Sequence, residues 1–177
     1  MVTDAMPTPW WERNRYADKR PFLLKRAAIT DRVRQLLGGQ GFAEVETPIL
    51  QVSPGNETHL HAPRTEVSDR VGGRRLTRYL RTSPEFAAKK LLAAGEERIF
   101  EFARVFRDRE RGDTHLPEFT MLEWYRIESP YDAVMADSCA IARAAAEAAG
   151  TATPSALDEI ATKNQMEVLG SVPESYL

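Results

Sequence analysis

A single cysteine, Cys139, has no partner for an internal disulfide, and three histidines in 177 residues give no Cys/His spacing of the structural-zinc kind. A chain so poor in cysteine is expected in the cytoplasm, and Cys139, inside a helical pattern, reads as a packing residue rather than a nucleophile. Charge of one sign is lacking too. The 24 Lys and Arg against 26 Asp and Glu leave a net charge of −2, so no global basic field draws nucleic acid to the chain. Long apolar runs are missing. Met1 to Trp11 contains Asp4 and prolines but no apolar core segment, so neither a signal peptide nor a membrane anchor is expected. The glycines form no phosphate loop, and no internal repeat is present.

What is there suffices for one domain with a real core. Ile29, Val33, Leu36 and Leu37 recur at helical spacing, predicting a helix from Phe22 to Leu37 with Gly38-Gly39 as a left-handed stop. A short strand over Phe42 to Glu46 closes at Thr47-Pro48, and a turn-rich loop covers Val52 to Thr58. Two polar runs, 60 to 70 and 74 to 82, flank Gly72-Gly73 as a hairpin. Ser83 reads as an N-cap, with Pro84 first in a helix from 84 to 94 that stops at Gly95. Ser129-Pro130 starts another helix, which runs through an alanine-rich stretch to Gly150.

The stretch from Phe100 to Arg126 is the most informative. Two runs of strand composition flank a loop of alternating charge. At period two, Phe119, Met121, Glu123 and Tyr125 share one face, and Glu101, Ala103, Val105 and Arg107 share one face of the first run. If the runs pair as a hairpin, Arg107 and the 119/123/125 row lie over one floor. A guanidinium grips phosphate oxygens bidentately and a flat ring stacks on a base, so this face suits a nucleotide. A solvated hairpin of paired charges fits the composition as well.

The wording of the segment resembles motif 2 of the class II aminoacyl-tRNA synthetases, in which an apolar-Phe-Arg strand, a variable loop and a returning strand bind ATP. Pro117 to Tyr125, P-E-F-T-M-L-E-W-Y, is similar to the lysyl subgroup. Leu36 to Pro48 resembles motif 1, the dimer-forming helix and strand of that family. Thr82-Ser83-Pro84-Glu85-Phe86 followed by Lys89-Lys90-Leu91-Leu92 resembles its substrate-binding turn and helix. The likeness extends over residues 20 to 150 and is greatest to the stand-alone lysyl-synthetase paralogues that modify translation elongation factor P.

The resemblance implies an α+β fold, a partial class II catalytic domain with an antiparallel sheet flanked by helices. Residues 1–20 would be an N-terminal extension, 21–150 the partial catalytic domain and 151–177 a divergent tail. It implies a ligase that uses ATP and Mg²⁺ to activate lysine or (R)-β-lysine and passes it to a lysine of elongation factor P. By position, Arg107 would serve catalysis and bind ATP with Asp108, Arg109, His115, Leu116 and Phe119. Ser83, Pro84, Glu85, Glu123 and Tyr125 would bind the amino acid. A homodimer through motif 1 is implied, and tRNA is not expected as acceptor, because residues 1–20 are too few for the anticodon-reading barrel.

The chain also departs from the pattern. Arg109 stands where motif 2 has a glutamate, with Glu110 beside it; a one-residue shift would reverse its face on a strand. Leu116 replaces a polar residue, leaving only backbone for the nucleotide. Nothing after Gly150 resembles the metal-binding carboxylates or motif 3, so the chain is expected to be a truncated half of the catalytic domain. A fragment of a lysyl-tRNA synthetase and a non-catalytic paralogue kept as a binding module stay open beside the ligase.

Overall fold

A computed structural model of the chain describes residues 8–53, 55 and 57–151. Nearly all of the tail expected at 151–177 lies outside the described residues, as do Pro54 and Asn56 of the turn-rich loop and residues 1–7. The elements in order are α1 (Arg13–Gly39), β1 (Ala43–Glu44), β2 (Leu50–Gln51), β3 (Arg64–Ser68), β4 (Arg75–Leu80), α2 (Glu85–Ala93), β5 (Arg98–Phe106), β6 (Glu118–Arg126) and α3 (Tyr131–Ala149). The α+β class expected from the sequence is what is observed. The chain divides into two compact units, one of residues 37–129 and one of residues 1–36 and 130–177.

The unit of residues 37–129 holds two three-stranded sheets, ordered β1-β5-β6 and β2-β4-β3. In the first, β5 and β6 pair antiparallel over nine positions, from Arg98 opposite Arg126 to Phe106 opposite Glu118. β1 joins β5 in parallel, so this sheet is mixed rather than purely antiparallel. Ile99, Ala103 and Val105 are fully buried on the face they share with Glu101, whereas Phe102 and Phe106, expected on the apolar side, are only half-buried. The expected hairpin about Gly72-Gly73 is β3 and β4, antiparallel from Arg64 opposite Tyr79 to Ser68 opposite Arg75. The Arg81 amide donates to the Ile49 carbonyl, 3.0 Å, carrying the pairing of β2 and β4 one step further.

Helix α1 differs from expectation at both ends. α1 begins at Arg13 rather than Phe22 and runs through Pro21. The Glu12 carboxylate accepts the amides of Asn14, 3.0 Å, and Arg15, 3.4 Å, where a negative group suits the helix dipole; the proline removes only one helical bond. The left-handed stop falls at Gly41, φ 81°, not at Gly38-Gly39, and the Phe42 amide closes back on the Leu37 carbonyl at 3.1 Å. α3 ends as expected on left-handed Gly150. In the second unit Val33 and Ala144 are buried, and Arg32 of α1 lies 3.8 Å from Glu147 of α3.

Candidate functional site

The register of β5 and β6 sets Glu101 directly opposite Glu123 on one face, with Val105 opposite Phe119 and Ile99 opposite Tyr125. Like charges in facing positions repel, so each carboxylate needs its own compensation. Glu101 is compensated by Arg81. The two side chains are 3% and 6% exposed, with Nη2 2.6 Å from Oε1, and the other carboxylate oxygen accepts the Thr47 hydroxyl at 2.7 Å. The Arg81 guanidinium also donates to the carbonyls of Arg104 and Thr47, both 2.9 Å, and to the Thr47 hydroxyl. A buried charge is tolerable when its donors and acceptors are filled in this way.

Glu123 is compensated differently. Its Oε1 accepts the Ser83 hydroxyl at 2.7 Å and its Oε2 accepts the Tyr125 hydroxyl, but among the described residues no cation pairs with it. Burial holds the Tyr125 phenol protonated well above its ordinary range, and the bond to Glu123 with the charges of Glu123, Glu85 and Glu101 adds to the shift. Glu123 and Tyr125 are half-buried, and the Glu123 carboxylate is fixed by two hydroxyls.

Ser83 is placed for this by its turn. The sequence predicts it as N-cap of the following helix, whereas the cap position is Pro84, one residue later, and α2 starts at Glu85. Ser83 still accepts the Glu85 amide on Oγ, 3.1 Å, while its proton goes to Glu123. One hydroxyl thus joins the helix start to the sheet. Pro84 is buried, and its carbonyl takes the first helical bond from Ala88, 2.9 Å. Glu85 pairs with Lys89 one turn along α2. Ser83, Glu85, Phe86, Lys89 and Val52 line a cavity of about 490 Å³.

Beyond the end of β5, Arg107 lies half-buried with its guanidinium carbon 5.4 Å from the centre of the Phe119 ring. Its Nε donates to the Thr82 carbonyl at 3.3 Å, and its Nη1 is 3.8 Å from the Glu110 carboxylate. Arg107, Phe119, Ser83, Glu85, Glu123 and Tyr125 are thereby joined through the hairpin face and the Thr82–Glu85 turn.

The rest of the predicted nucleotide set lies on the loop. The Asp108 amide bonds to the His61 carbonyl, 2.7 Å, and its carboxylate accepts the Arg109 amide, 2.9 Å. The His115 ring meets Thr114 at 3.0 Å, and Leu116 is 62% exposed. Among the described residues none of these four hydrogen-bonds to the Arg107 side chain or stacks on Phe119. β5 ends at Phe106, so strand alternation does not apply at Arg109 and Glu110 and the one-residue shift reverses no face. Arg109 takes a left-handed conformation, φ 66°, and the turned chain lets Glu110 reach Arg107.

Sequence reasoning missed Arg81, Thr47 and the Thr82 carbonyl. A signal for Arg81 existed: Glu101 is the lone carboxylate between Ile99 and Ala103 on the buried face, and such a group demands a buried cation. Among the described residues no cluster of three or more His, Cys, Asp or Glu is arranged to hold a metal ion. No described helix is long and apolar enough to cross a membrane.

Residues 10–171 match the family described as tRNA synthetases class II (D, K and N). Among curated proteins the chain is similar to the elongation factor P–(R)-β-lysine ligases of Haemophilus influenzae strain PittGG, 48% identical over 104 residues, and Mannheimia succiniciproducens, 46% over 104 residues. That of Yersinia enterocolitica is 45% identical over 104 residues. Each alignment covers 59% of this chain and 32% of the relative, so the chain spans about a third of the length of the curated relatives it matches.

Proposed function

For a chain that belongs to the class II tRNA synthetases (D, K and N), we propose adenylation of lysine or (R)-β-lysine with ATP, followed by transfer to a lysine of translation elongation factor P. The observation that carries this reading is Glu123, a carboxylate fixed by Ser83 and Tyr125 and with no cation paired to it among the described residues, on the same sheet face as Phe119, over which Arg107 lies. An ammonium group answers the first feature, and a nucleotide phosphate and base answer the second. The names of the relatives support elongation factor P as the acceptor and the β-amino acid as the substrate.

In the first step the amino-acid carboxylate attacks the α-phosphorus of ATP in line. A P–O bond to the carboxylate forms and pyrophosphate leaves with the electron pair of the bond it gives up. Arg107 stabilises the charge that grows on the phosphate oxygens, and Phe119 stacks on adenine. Ser83, Pro84 and Glu85 hold the α-amino end, for which the substrate ammonium displaces Lys89 from Glu85. Glu123 and Tyr125 take the side-chain ammonium. In the second step the acceptor lysine amine attacks the acyl carbon, an amide bond forms and AMP departs.

Asp108, Arg109, His115 and Leu116 belong to this reading as loop residues that reach the nucleotide when it binds. ATP fits the Arg107 and Phe119 pair. The described residues supply no ligand set for Mg²⁺, so no protein ligand is assigned and no step is routed through the ion. A homodimer through motif 1, residues 36 to 48, goes with the family likeness. A cytoplasmic setting goes with an acceptor that serves translation.

The acceptor is tested by incubating the chain with ATP, radiolabelled (R)-β-lysine and purified elongation factor P. Label bound to elongation factor P and lost when its acceptor lysine is replaced by arginine supports the assignment. Label that passes to tRNA instead would favour descent from a lysyl-tRNA synthetase.

A further inference from the structure

We propose that Arg81 and Glu101 are positioning residues, whose buried ion pair holds the Thr82–Glu85 turn against the end of β5 and so fixes the amino-acid pocket relative to Arg107. This rests on the roles given above to the turn and to Arg107, and extends them to two residues that act through others. One guanidinium ties three chain segments together. It bonds to Arg104 and Glu101 of β5 and to Thr47 in the link between β1 and β2, while its own backbone leads into the turn.

The ties continue residue by residue. The Phe106 amide donates to the Arg81 carbonyl at 2.9 Å, Arg107 donates to the Thr82 carbonyl at 3.3 Å, and Ser83 donates to Glu123 at 2.7 Å. Residues 81, 82 and 83 are thus each stapled to the β5–β6 hairpin; the Arg81–Glu101 bond is buried, and those of Thr82 and Ser83 are part-buried. By sequence alone, α2 separates the turn from β5, so these bonds and not chain connectivity set the spacing.

Stability alone does not call for this pair, because apolar side chains of similar volume replace buried ion pairs with little loss or some gain. What an apolar pair lacks is direction. A guanidinium with four hydrogen bonds accepts one geometry, whereas a methionine slides over a leucine. Since a misplacement of about 1 Å can cost on the order of a hundredfold in an active site, a fixed spacing has functional value.

The test compares wild type with the double variant Arg81→Met/Glu101→Leu. It reads melting temperature, amide hydrogen exchange, and calorimetric binding of lysyl-sulfamoyl-adenosine, a stable mimic of the adenylate. We expect a melting temperature near that of wild type, faster exchange at the amides of Glu85, Phe106 and Arg107, and binding weakened at least tenfold. Unchanged exchange at those amides, or unchanged affinity in a chain that binds the mimic, would overturn the proposal. If wild type does not bind the mimic, the assignment of the site fails, and amide exchange alone decides whether the pair holds the turn. If the double variant does not fold, Thr47→Val is measured in the same way, since it removes the hydroxyl that bridges both partners and leaves both charges paired; the same gain in exchange is expected, and its absence overturns the claim.

Discussion

Replacing Arg81 by methionine alone should be the most destabilising single change in the unit of residues 37–129. The substitution keeps much of the side-chain volume but removes four hydrogen bonds and the charge facing Glu101. Glu101, 6% exposed, keeps only the Thr47 hydroxyl. Breaking a buried pair from one side costs about 3 to 5 kcal/mol, against a total stability of about 5 to 15 kcal/mol for an ordinary domain. With a urea slope of about 2 kcal/mol per molar, the midpoint should fall by roughly 2 M. Arg64→Met is the matched control: Arg64 is 3.9 Å from Glu66 at the surface with its side chain 64% exposed, and the cost should stay below about 1 kcal/mol. Urea titration followed by circular dichroism measures both. A loss below about 1 kcal/mol for Arg81→Met would refute the claim that the pair is dry and interdependent.

Phe119→Ala should raise the KM for ATP about tenfold in pyrophosphate exchange and leave the KM for the amino acid nearly unchanged, since a stacked ring contributes about 1 to 3 kcal/mol. The raised pKa of Tyr125 carries a sign. The phenol stays protonated in the fold while the unfolded chain ionises near pH 10, so its contribution is complete below about pH 10 and is lost as pH rises towards the folded value. Urea midpoints from pH 8 to 11 should therefore fall more steeply for wild type than for Tyr125→Phe; parallel slopes would contradict this. Gly41→Ala should destabilise by about 1 to 2 kcal/mol through the left-handed backbone alone, because a Cβ at that position meets nothing within 4 Å.

Local patterns were legible where one rule governed. The alternation along Phe100 to Phe106 and Phe119 to Tyr125 gave the faces of the hairpin, because a sheet admits only a period of two. Gly150 was readable as a helix stop and Gly72-Gly73 as a turn because glycine takes the left-handed backbone that both need. Where two rules competed, the reading slipped. Gly38 and Gly39 could stop a helix, but Gly41 sits where the chain must turn to bring Phe42 back on Leu37. Ser83 could cap a helix, but its proton was claimed by Glu123, which no local rule contains. Arg81 belongs to a contact formed across 20 residues with Glu101, and only a count of buried charges along β5 would have pointed to it.

Pyrophosphate exchange bears most directly on the central claim that the Arg107 face activates an amino acid. It is measured on the 177-residue chain with ATP, with α-lysine and (R)-β-lysine in parallel and Arg107→Ala as the control. Exchange is expected with at least one of the two amino acids and is lost in the variant. Exchange of equal rate in Arg107→Ala, or none with either amino acid in a chain shown to be folded, would contradict that claim.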